Sequence, residues 1–272
     1  MNSDVVLSIC LATLAGLSTG IGGLMSVLFK KTGTKALSIM LGLSAGIMIY
    51  ISFIELYQES QTNLCDIHGP VNGKILTALS FFFGITLMAL INEFIPEPNH
   101  PHRARRIESM YKASISGSNR NTGKLLRTGV FTAIAVTLHN FPEGIASYVS
   151  TMKNSALGVS IALAIAIHNI PEGIAISIPV YYSTGSRKKA LLAALFSGLS
   201  EPLGAIAAMA VLGRLITDTM FGIIFGAVAG IMVYISLDEL LPASREYGEH
   251  NLSVLGLMVG MAIMAISVIF IF

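Results

Sequence analysis

Two short peptides with the same order of chemically active residues lie 29 positions apart in an otherwise apolar part of the sequence. HNFPEG occupies residues 139–144, and HNIPEG occupies residues 168–173. Each copy contains an imidazole, an amide and a carboxylate, which makes the two copies the first candidates for a functional site. These side chains are His139, Asn140 and Glu143 in the first copy and His168, Asn169 and Glu172 in the second.

The spacing within each peptide determines which of these groups can act together. On an α-helix, residues i and i+4 lie one above the other on the same face, so each histidine lies beside the glutamate of its own copy. If two such helices run antiparallel with these faces opposed, two imidazoles, two amides and two carboxylates meet in one space. This donor set suits Zn, Fe, Mn or Co ions. The HExxH pattern of zinc proteases does not occur here, because asparagine follows each of these histidines.

A proline precedes the glutamate in both peptides, and each proline would disturb the helix that carries it. Pro142 and Pro171 have no N–H to donate, and their rings bend the helix. Carbonyl groups freed in this way inside a membrane must face protein or a water-filled cavity, so we expect a cavity beside the candidate ligands. The segment Ser200-Glu201-Pro202 repeats the pairing of glutamate with proline. We therefore add Glu201 as a further ligand or bridge.

The composition is that of an integral membrane protein. Hydrophobic residues make up 53% of the 272 residues and charged residues only 12%, with a mean hydropathy of +0.73, whereas a soluble domain is about 25% charged. Eight apolar stretches are of the order of the ~20 residues that a helix needs to cross hydrocarbon. They are Val5–Phe29, Ala36–Tyr57, Ile75–Ile95, Thr128–Thr151, Ala156–Tyr182, Ala190–Leu212, Met220–Leu241 and Leu252–Phe272. The sequence predicts an all-α, polytopic membrane protein in which residues 1–272 form a single transmembrane domain.

The basic residues are distributed unequally between the two sides of this predicted bundle. Of the 17 lysines and arginines, 14 fall in the connections after spans one, three, five and seven, and 3 fall on the opposite side. The positive-inside rule places the first group in the cytoplasm and both termini outside it. The longest connection, residues 97–124, is polar and basic, and we expect it to be a flexible cytoplasmic loop. It contains His100 and His102, which are either solvated or a weak metal site.

A longer repeat relates the second and seventh predicted spans. Residues 45–56 read AGIMIYISFIEL and residues 229–240 read AGIMVYISLDEL, with nine of the twelve positions identical. These spans cross the bilayer in opposite directions, as do the fourth and fifth spans that carry the hexapeptides. Inverted repeats are typical of secondary transporters, and we predict a 3+2+3 arrangement in which spans one to three mirror spans six to eight. Chance recurrence of small residues is the alternative, but it does not explain why Glu55 and Glu239 fall in register.

Acidic residues inside the predicted spans indicate what the protein does. An ionisable side chain at the bilayer midplane costs at least about 2.5–3.5 kcal/mol, and no lysine or arginine lies mid-span to neutralise one. A bound divalent cation would make the carboxylates tolerable. The candidates are Glu55, Glu93, Glu143, Glu172 and Glu201.

Two acidic positions are expected to mark the mouths of an ion route. One is Glu55, near the outer end of span two; the other is Glu239 with Asp238, near the cytoplasmic end of span seven. An intramembrane metalloenzyme and a metal-gated receptor are alternatives to a transporter.

The paired hexapeptides, Glu201 on the sixth span, the outside termini and the long cytoplasmic loop resemble the bacterial branch of the ZIP (Zrt/Irt-like) divalent metal transporters. The resemblance covers essentially the whole chain and implies two adjacent metal ions bridged by glutamates. A zinc-type ion would be held by Glu143, His168 and Glu172. A neighbouring ion site that accepts iron would use Asn140, Glu143, Asn169, Glu172 and Glu201, and His139 would line the route or act as a ligand.

The resemblance also implies the activity and its setting. The chain would import Zn²⁺, and with it Fe²⁺, Mn²⁺, Co²⁺ and Cd²⁺, as transported substrates, without a cofactor and without enzymatic activity. Its partners would be divalent metal ions and the lipid bilayer of the cell membrane, and it would not bind nucleic acid. Both a monomer and a homodimer are compatible with the sequence.

Overall fold

The computed structural model describes residues 3–28, 34–94, 119–213, 217–247 and 250–271. These ranges are almost entirely helical and contain no β-strand. The helices are α1 (Ser3–Leu28), α2 (Thr34–Ile51), α3 (Tyr57–His68), α4 (Pro70–Phe94), α5 (Asn119–Lys153), α6 (Ser155–Thr184), α7 (Arg187–Gly198), α8 (Ser200–Leu212), α9 (Asp218–Ile235), α10 (Leu241–Tyr247) and α11 (His250–Ile271). Within the described ranges, seven helical stretches are long and apolar enough to cross a membrane. With α5 in the place of the fourth predicted span, the predicted class, an all-α polytopic membrane protein, is confirmed.

Two π-helical segments make α2 continuous with α3 and α9 continuous with α10. They span Ser52–Leu56 and Ser236–Leu240, and both lie inside the twelve-residue repeat. A π-turn is wider than an α-turn because its hydrogen bonds join residues i and i+5. At the start of each segment a serine hydroxyl donates to the carbonyl four residues earlier, at 2.6 Å from Ser52 to Met48 and at 2.7 Å from Ser236 to Met232. The two halves therefore carry the same irregularity with the same side-chain support.

The helices form two groups that lie side by side. Helices α1, α5, α6, α7 and α8 pack against one another in the first group, and α2, α3, α4, α9, α10 and α11 in the second. The groups meet mainly where α2 contacts α6 and where α9 contacts α5. Helices in a membrane associate by close packing, because lipid tails are as apolar as the side chains. Small residues accordingly occupy the closest crossings: a Cβ on Gly16 or on Gly198 would collide with the backbone oxygen of the other residue.

These close crossings occur in pairs related by a pseudo-twofold axis. The operation exchanges α5 with α6, α1 with the α7–α8 pair, α2–α3 with α9–α10, and α4 with α11. At each crossing a glycine lies against a backbone carbonyl, and its counterpart lies against the matching carbonyl. The paired contacts are Gly144 with Glu201 and Gly173 with Thr19, Gly204 with Phe141 and Gly22 with Ile170, and Gly84 with Ala227 and Gly260 with Leu43. The described helices therefore form the predicted 3+2+3 inverted repeat.

Several helices extend beyond the ends of the predicted spans. The predicted second span ends at Tyr57, and its helix continues to His68; the predicted seventh span ends at Leu241, and its helix continues to Tyr247. In both cases polar residues end the apolar run without ending the helix. Helix α5 begins at Asn119, inside the predicted loop 97–124. The two loop histidines, His100 and His102, lie outside the described residues.

Candidate metal site

A tight hairpin between α5 and α6 positions both hexapeptides. Asn154 has an extended backbone and caps α6, because its side-chain oxygen accepts a hydrogen bond from the Ala156 N–H at 2.8 Å. The turn falls between the predicted spans Thr128–Thr151 and Ala156–Tyr182. His139 and His168 lie 15 and 14 residues from Asn154, roughly 20 Å along their helices at 1.5 Å per residue. The hairpin therefore brings the two motifs to the same depth on antiparallel helices.

The histidines and glutamates of the two motifs pair across the hairpin. His139 Nε2 lies 3.0 Å from Glu172 Oε2, and His168 Nε2 lies 3.1 Å from Glu143 Oε1. Each histidine therefore contacts the glutamate of the other helix. All four side chains are at most 1% exposed. The pseudo-twofold axis exchanges the two pairs, so the site lies on the axis between the halves, where inverted-repeat transporters place their substrate sites.

The asparagines extend this cluster on both sides of the axis, and Glu201 extends it on one side. Asn169 Nδ2 donates to Glu201 Oε2 at 2.9 Å and to the backbone oxygen of Ala15 at 3.1 Å. The symmetry-related Asn140 Nδ2 donates to the backbone oxygen of Ser197 at 3.3 Å. Both amides and the Glu201 carboxyl are fully buried. Helix α8 thus supplies a third carboxylate next to the two His–Glu pairs.

Several electron-pair donors in the cluster have no hydrogen-bond partner among the described residues. They are Asn140 Oδ1, Glu143 Oε2, Asn169 Oδ1, Glu172 Oε1 and Glu201 Oε1, together with the Nδ1 atoms of His139 and His168. A buried polar atom without a partner is expensive, and a cation is the partner that carboxylate and amide oxygens share. In the described part of the chain, no three His, Cys, Asp or Glu side chains already lie close enough together to hold an ion.

The four other acidic candidates do not belong to the cluster itself, and they differ in how near to it they lie. Glu239 lies within electrostatic range of His139, on the π-segment that leads into α10. Asp238 accepts a hydrogen bond from Asn92 of α4 at 3.1 Å. Glu55 is half-buried on the other π-segment, in the interior of a continuous helix and not near its end. Glu93 is exposed at the end of α4, so the structure does not bring it to the cluster.

Sequence reasoning overlooked two hydroxyl groups beside the site. Ser44 of α2 donates to the backbone oxygen of His168 at 3.3 Å. Thr19 of α1 is fully buried, and its backbone oxygen lies against Gly173. A signal for Thr19 was present: residues 16–22 read GLSTGIG and residues 198–204 read GLSEPLG, with four of seven positions identical. This third repeat places Thr19 in register with Glu201.

Comparison with known proteins identifies the family of the chain. The family model described as ZIP Zinc transporter matches residues 97–267. Three curated relatives, each described as Zinc transporter ZupT, match nearly the whole chain. The relative from Clostridium perfringens is 46% identical over 98% of this chain and 96% of its own length; that from Oceanobacillus iheyensis is 50% identical over 98% of both; and that from Chlorobium chlorochromatii is 48% identical over 99% of both. The chain belongs to the ZIP zinc transporter family.

Proposed function

We propose that this protein transports Zn²⁺ into the cytoplasm through the buried cluster on the α5–α6 hairpin. The observation that carries the proposal is the pair of crossed His–Glu contacts on the pseudo-twofold axis, His139 with Glu172 and His168 with Glu143. They place imidazole and carboxylate donors at equal depth in an inverted-repeat bundle. The relatives that are described as zinc transporters support zinc as the substrate.

The donor set defines how an ion would be held. The resemblance to the ZIP family implies Glu143, His168 and Glu172 as the proposed zinc ligands, and zinc binds imidazole nitrogen and carboxylate oxygen at about 2.0–2.2 Å. The unpartnered oxygens of Asn140, Asn169 and Glu201 would receive a second ion next to the first, with Glu143 and Glu172 between the two. This second set contains only oxygen donors. Harder ions such as Fe²⁺ and Mn²⁺ suit such donors, and we propose that these ions, Co²⁺ and Cd²⁺ are also carried.

Ion entry requires proton and hydrogen-bond exchange at the same atoms. In the described state Glu143 and Glu172 each bond a histidine through one oxygen. An incoming dication would replace these contacts and displace any proton that they share, because a metal ligand must be deprotonated. Binding should therefore weaken as the pH falls. Departure of the ion would restore the crossed pairs, which keep the buried carboxylates compensated while the site is empty.

The distribution of charge supports an orientation of the protein in the membrane. The connections after spans one, three, five and seven carry 14 of the 17 basic residues, which supports a cytoplasmic location for them and an outside location for both termini. The cytoplasm is then the receiving side for zinc that enters from outside, in a multi-pass protein of the cell membrane.

Flux measurements test the proposal directly. The purified protein is placed in sealed liposomes that contain a fluorescent zinc indicator, and Zn²⁺ is added outside. We expect saturable zinc accumulation that Fe²⁺, Mn²⁺, Co²⁺ and Cd²⁺ reduce by competition. Liposomes with the Glu143→Gln/Glu172→Gln protein serve as the matched control. Zinc binding without zinc flux would contradict transport and favour an intramembrane metalloenzyme or receptor.

A further inference from the structure

Among the buried threonines of the described helices, Thr19 alone does not donate its hydroxyl to a carbonyl of its own helix. Six threonines of these helices donate their hydroxyl to the carbonyl four residues earlier, which is the usual way to satisfy such a group inside a helix. They are Thr13, Thr77, Thr86, Thr137, Thr151 and Thr184. Thr19 Oγ1 is buried and has no hydrogen-bond partner among the described residues. Its residue is 0% exposed.

The reason lies in the acceptor that Thr19 would normally use. The carbonyl four residues before Thr19 is that of Ala15, and it already accepts side-chain hydrogen bonds from Ser18 Oγ at 2.6 Å and from Asn169 Nδ2 at 3.1 Å. Asn169 is one of the amides of the candidate metal site. The Thr19 hydroxyl is thus left without a bond beside a helix that carries proposed ligands, although a buried hydroxyl without a partner is unfavourable.

The pseudo-twofold axis relates Thr19 to Glu201. Gly173 lies against the backbone oxygen of Thr19, as Gly144 lies against that of Glu201. The segments GLSTGIG and GLSEPLG align these two residues in the sequence. The same operation carries the contact between Asn169 and Glu201 onto the pair formed by Asn140 and Thr19. Asn140 Oδ1 and Thr19 Oγ1 are both buried and without a hydrogen-bond partner in the described part of the chain.

We propose that Thr19 is a further substrate-binding residue, whose hydroxyl oxygen contacts the transported dication on the side of the site opposite Glu201. This inference rests on the proposed transport function and extends its ligand set to α1. Thr19 with Asn140 forms a neutral counterpart of the Glu201–Asn169 pair. The site therefore has an anionic side and a neutral side of otherwise matching geometry.

Because of this asymmetry, the ion is held less strongly on the Thr19 side of the site than on the Glu201 side. Conduction requires sites that bind an ion well enough for it to enter and weakly enough for it to leave. A carboxylate at position 19 would make four charged oxygen ligands and hold the ion from both sides. A hydroxyl supplies a neutral oxygen donor that completes the coordination without the additional charge.

Matched substitutions on α1 test this role. Thr19→Val keeps the shape of the side chain and removes the hydroxyl, Thr19→Ser keeps the hydroxyl, and Thr13→Val removes a hydroxyl that already bonds to its own helix. We measure the apparent KM for zinc uptake in liposomes, and separately the rise in Tm that Zn²⁺ produces in detergent. Thr19→Val should raise KM about tenfold, as loss of a supporting group at a metal site does, and reduce the zinc-induced rise in Tm. Without zinc its Tm should equal or exceed that of the parent protein, because a buried unpartnered hydroxyl has been removed.

The outcomes separate this inference from the proposed function. Thr19→Ser should restore most of the affinity, and Thr13→Val should match the parent protein. A KM for Thr19→Val within twofold of the parent value, or equal impairment of Thr19→Ser and Thr19→Val, would overturn the role of Thr19. If the parent protein shows a zinc-induced rise in Tm but no flux, transport is contradicted, and the Tm measurements still decide whether Thr19 contacts the ion.

Discussion

His139 and Glu172 hydrogen-bond across the α5–α6 hairpin at 3.0 Å, and neither side chain is more than 1% exposed. Each residue thereby depends on the opposite helix for its partner. Breaking a buried pair from one side leaves an uncompensated polar or charged group. The crossed contacts therefore both stabilise the hairpin and hold the carboxylate that we propose as a metal ligand.

The two members of this pair should be energetically coupled. We expect His139→Gln and Glu172→Gln to be non-additive in the free energy of unfolding, with a coupling of about 0.5–3 kcal/mol, because they share one buried contact. Thermal unfolding in detergent, followed by circular dichroism, measures this, since the chain has no tryptophan to report by fluorescence. His139→Gln combined with the distant Asp66→Asn should be additive. Additivity of the first combination would show that the contact is energetically unimportant.

The two glutamates at the centre should be required for transport. Glu143→Gln and Glu172→Gln retain size and hydrogen-bonding capacity but remove the anionic ligand, so each should lower zinc uptake at least about tenfold. Uptake of radiolabelled zinc, normalised to the amount of protein in the membrane, is the measurement. Asp66→Asn removes an acidic group from an exposed position on α3 and should leave uptake unchanged. Normal uptake by either glutamate variant would contradict the proposed ligand set.

Close contact between α5 and α8 should be needed to position Glu201. A Cβ on Gly144 would collide with the backbone oxygen of Glu201, so Gly144→Ala must move one helix away from the other. We expect lower Tm and reduced uptake, since overpacking of a tight contact costs about 1–3 kcal/mol. Ala210→Val adds more volume to an exposed face of α8 and should be tolerated. Equal tolerance of both changes would mean that the crossing is less tight than described.

An ion pair at the hairpin tip links the two helix groups. Lys153 Nζ lies 3.7 Å from Glu59 Oε1, with side chains 30% and 32% exposed. Ion pairs this exposed contribute at most about 1 kcal/mol to the free energy of the state that contains them. That energy corresponds to about a fivefold change in rate, so Lys153→Met should change the uptake rate by no more than about fivefold, without altering the KM for zinc. The exchanged pair Lys153→Glu/Glu59→Lys should return the rate toward that of the parent protein. A large change in KM would instead place Lys153 in the ion route.

Cysteine labelling should establish which side of the membrane each turn faces. In a Cys10→Ser/Cys65→Ser background, Ser155→Cys should react with an impermeant thiol reagent added to intact cells. Lys188→Cys should react only after the membrane is opened. Both positions are exposed at helix junctions. The opposite pattern would reverse the orientation and make the proposed direction of transport wrong.

The composition and repeats were sufficient to predict the fold class and the hairpin that carries the site. The i, i+4 spacing places His139 and Glu143 on one face, and the sequence shows that Glu172 would oppose them. It does not show that each histidine bonds the glutamate of the other helix, because that choice depends on the rotation of two packed helices. The ends of α3 and α10 were also missed, since hydropathy detects the apolar run and not the hydrogen-bonded helix.

Thr19 shows why part of the site escaped prediction. A single threonine in an apolar helix carries no chemical signal comparable to an intramembrane carboxylate. Its position becomes informative only when GLSTGIG is aligned with GLSEPLG, and when the structure shows that the carbonyl of Ala15 is already bonded to Asn169. The first observation was available in the sequence, whereas the second requires coordinates.

The paired π-segments have a consequence for how the chain tolerates changes in length. The wide turn at Ser52–Leu56 takes up one more residue than a regular turn, because its hydrogen bonds join residues i and i+5. Deleting one residue there, such as Phe53, would convert the segment to regular α-helix and leave the angular phase of α3 nearly unchanged. Leu64, buried beside Gly222 of α9, would keep its place. A deletion within a regular part of the helix would instead rotate all that follows by about 100°. The same holds for Ser236–Leu240 and α10, so the loss of one residue is tolerated better at these two segments than elsewhere in their helices.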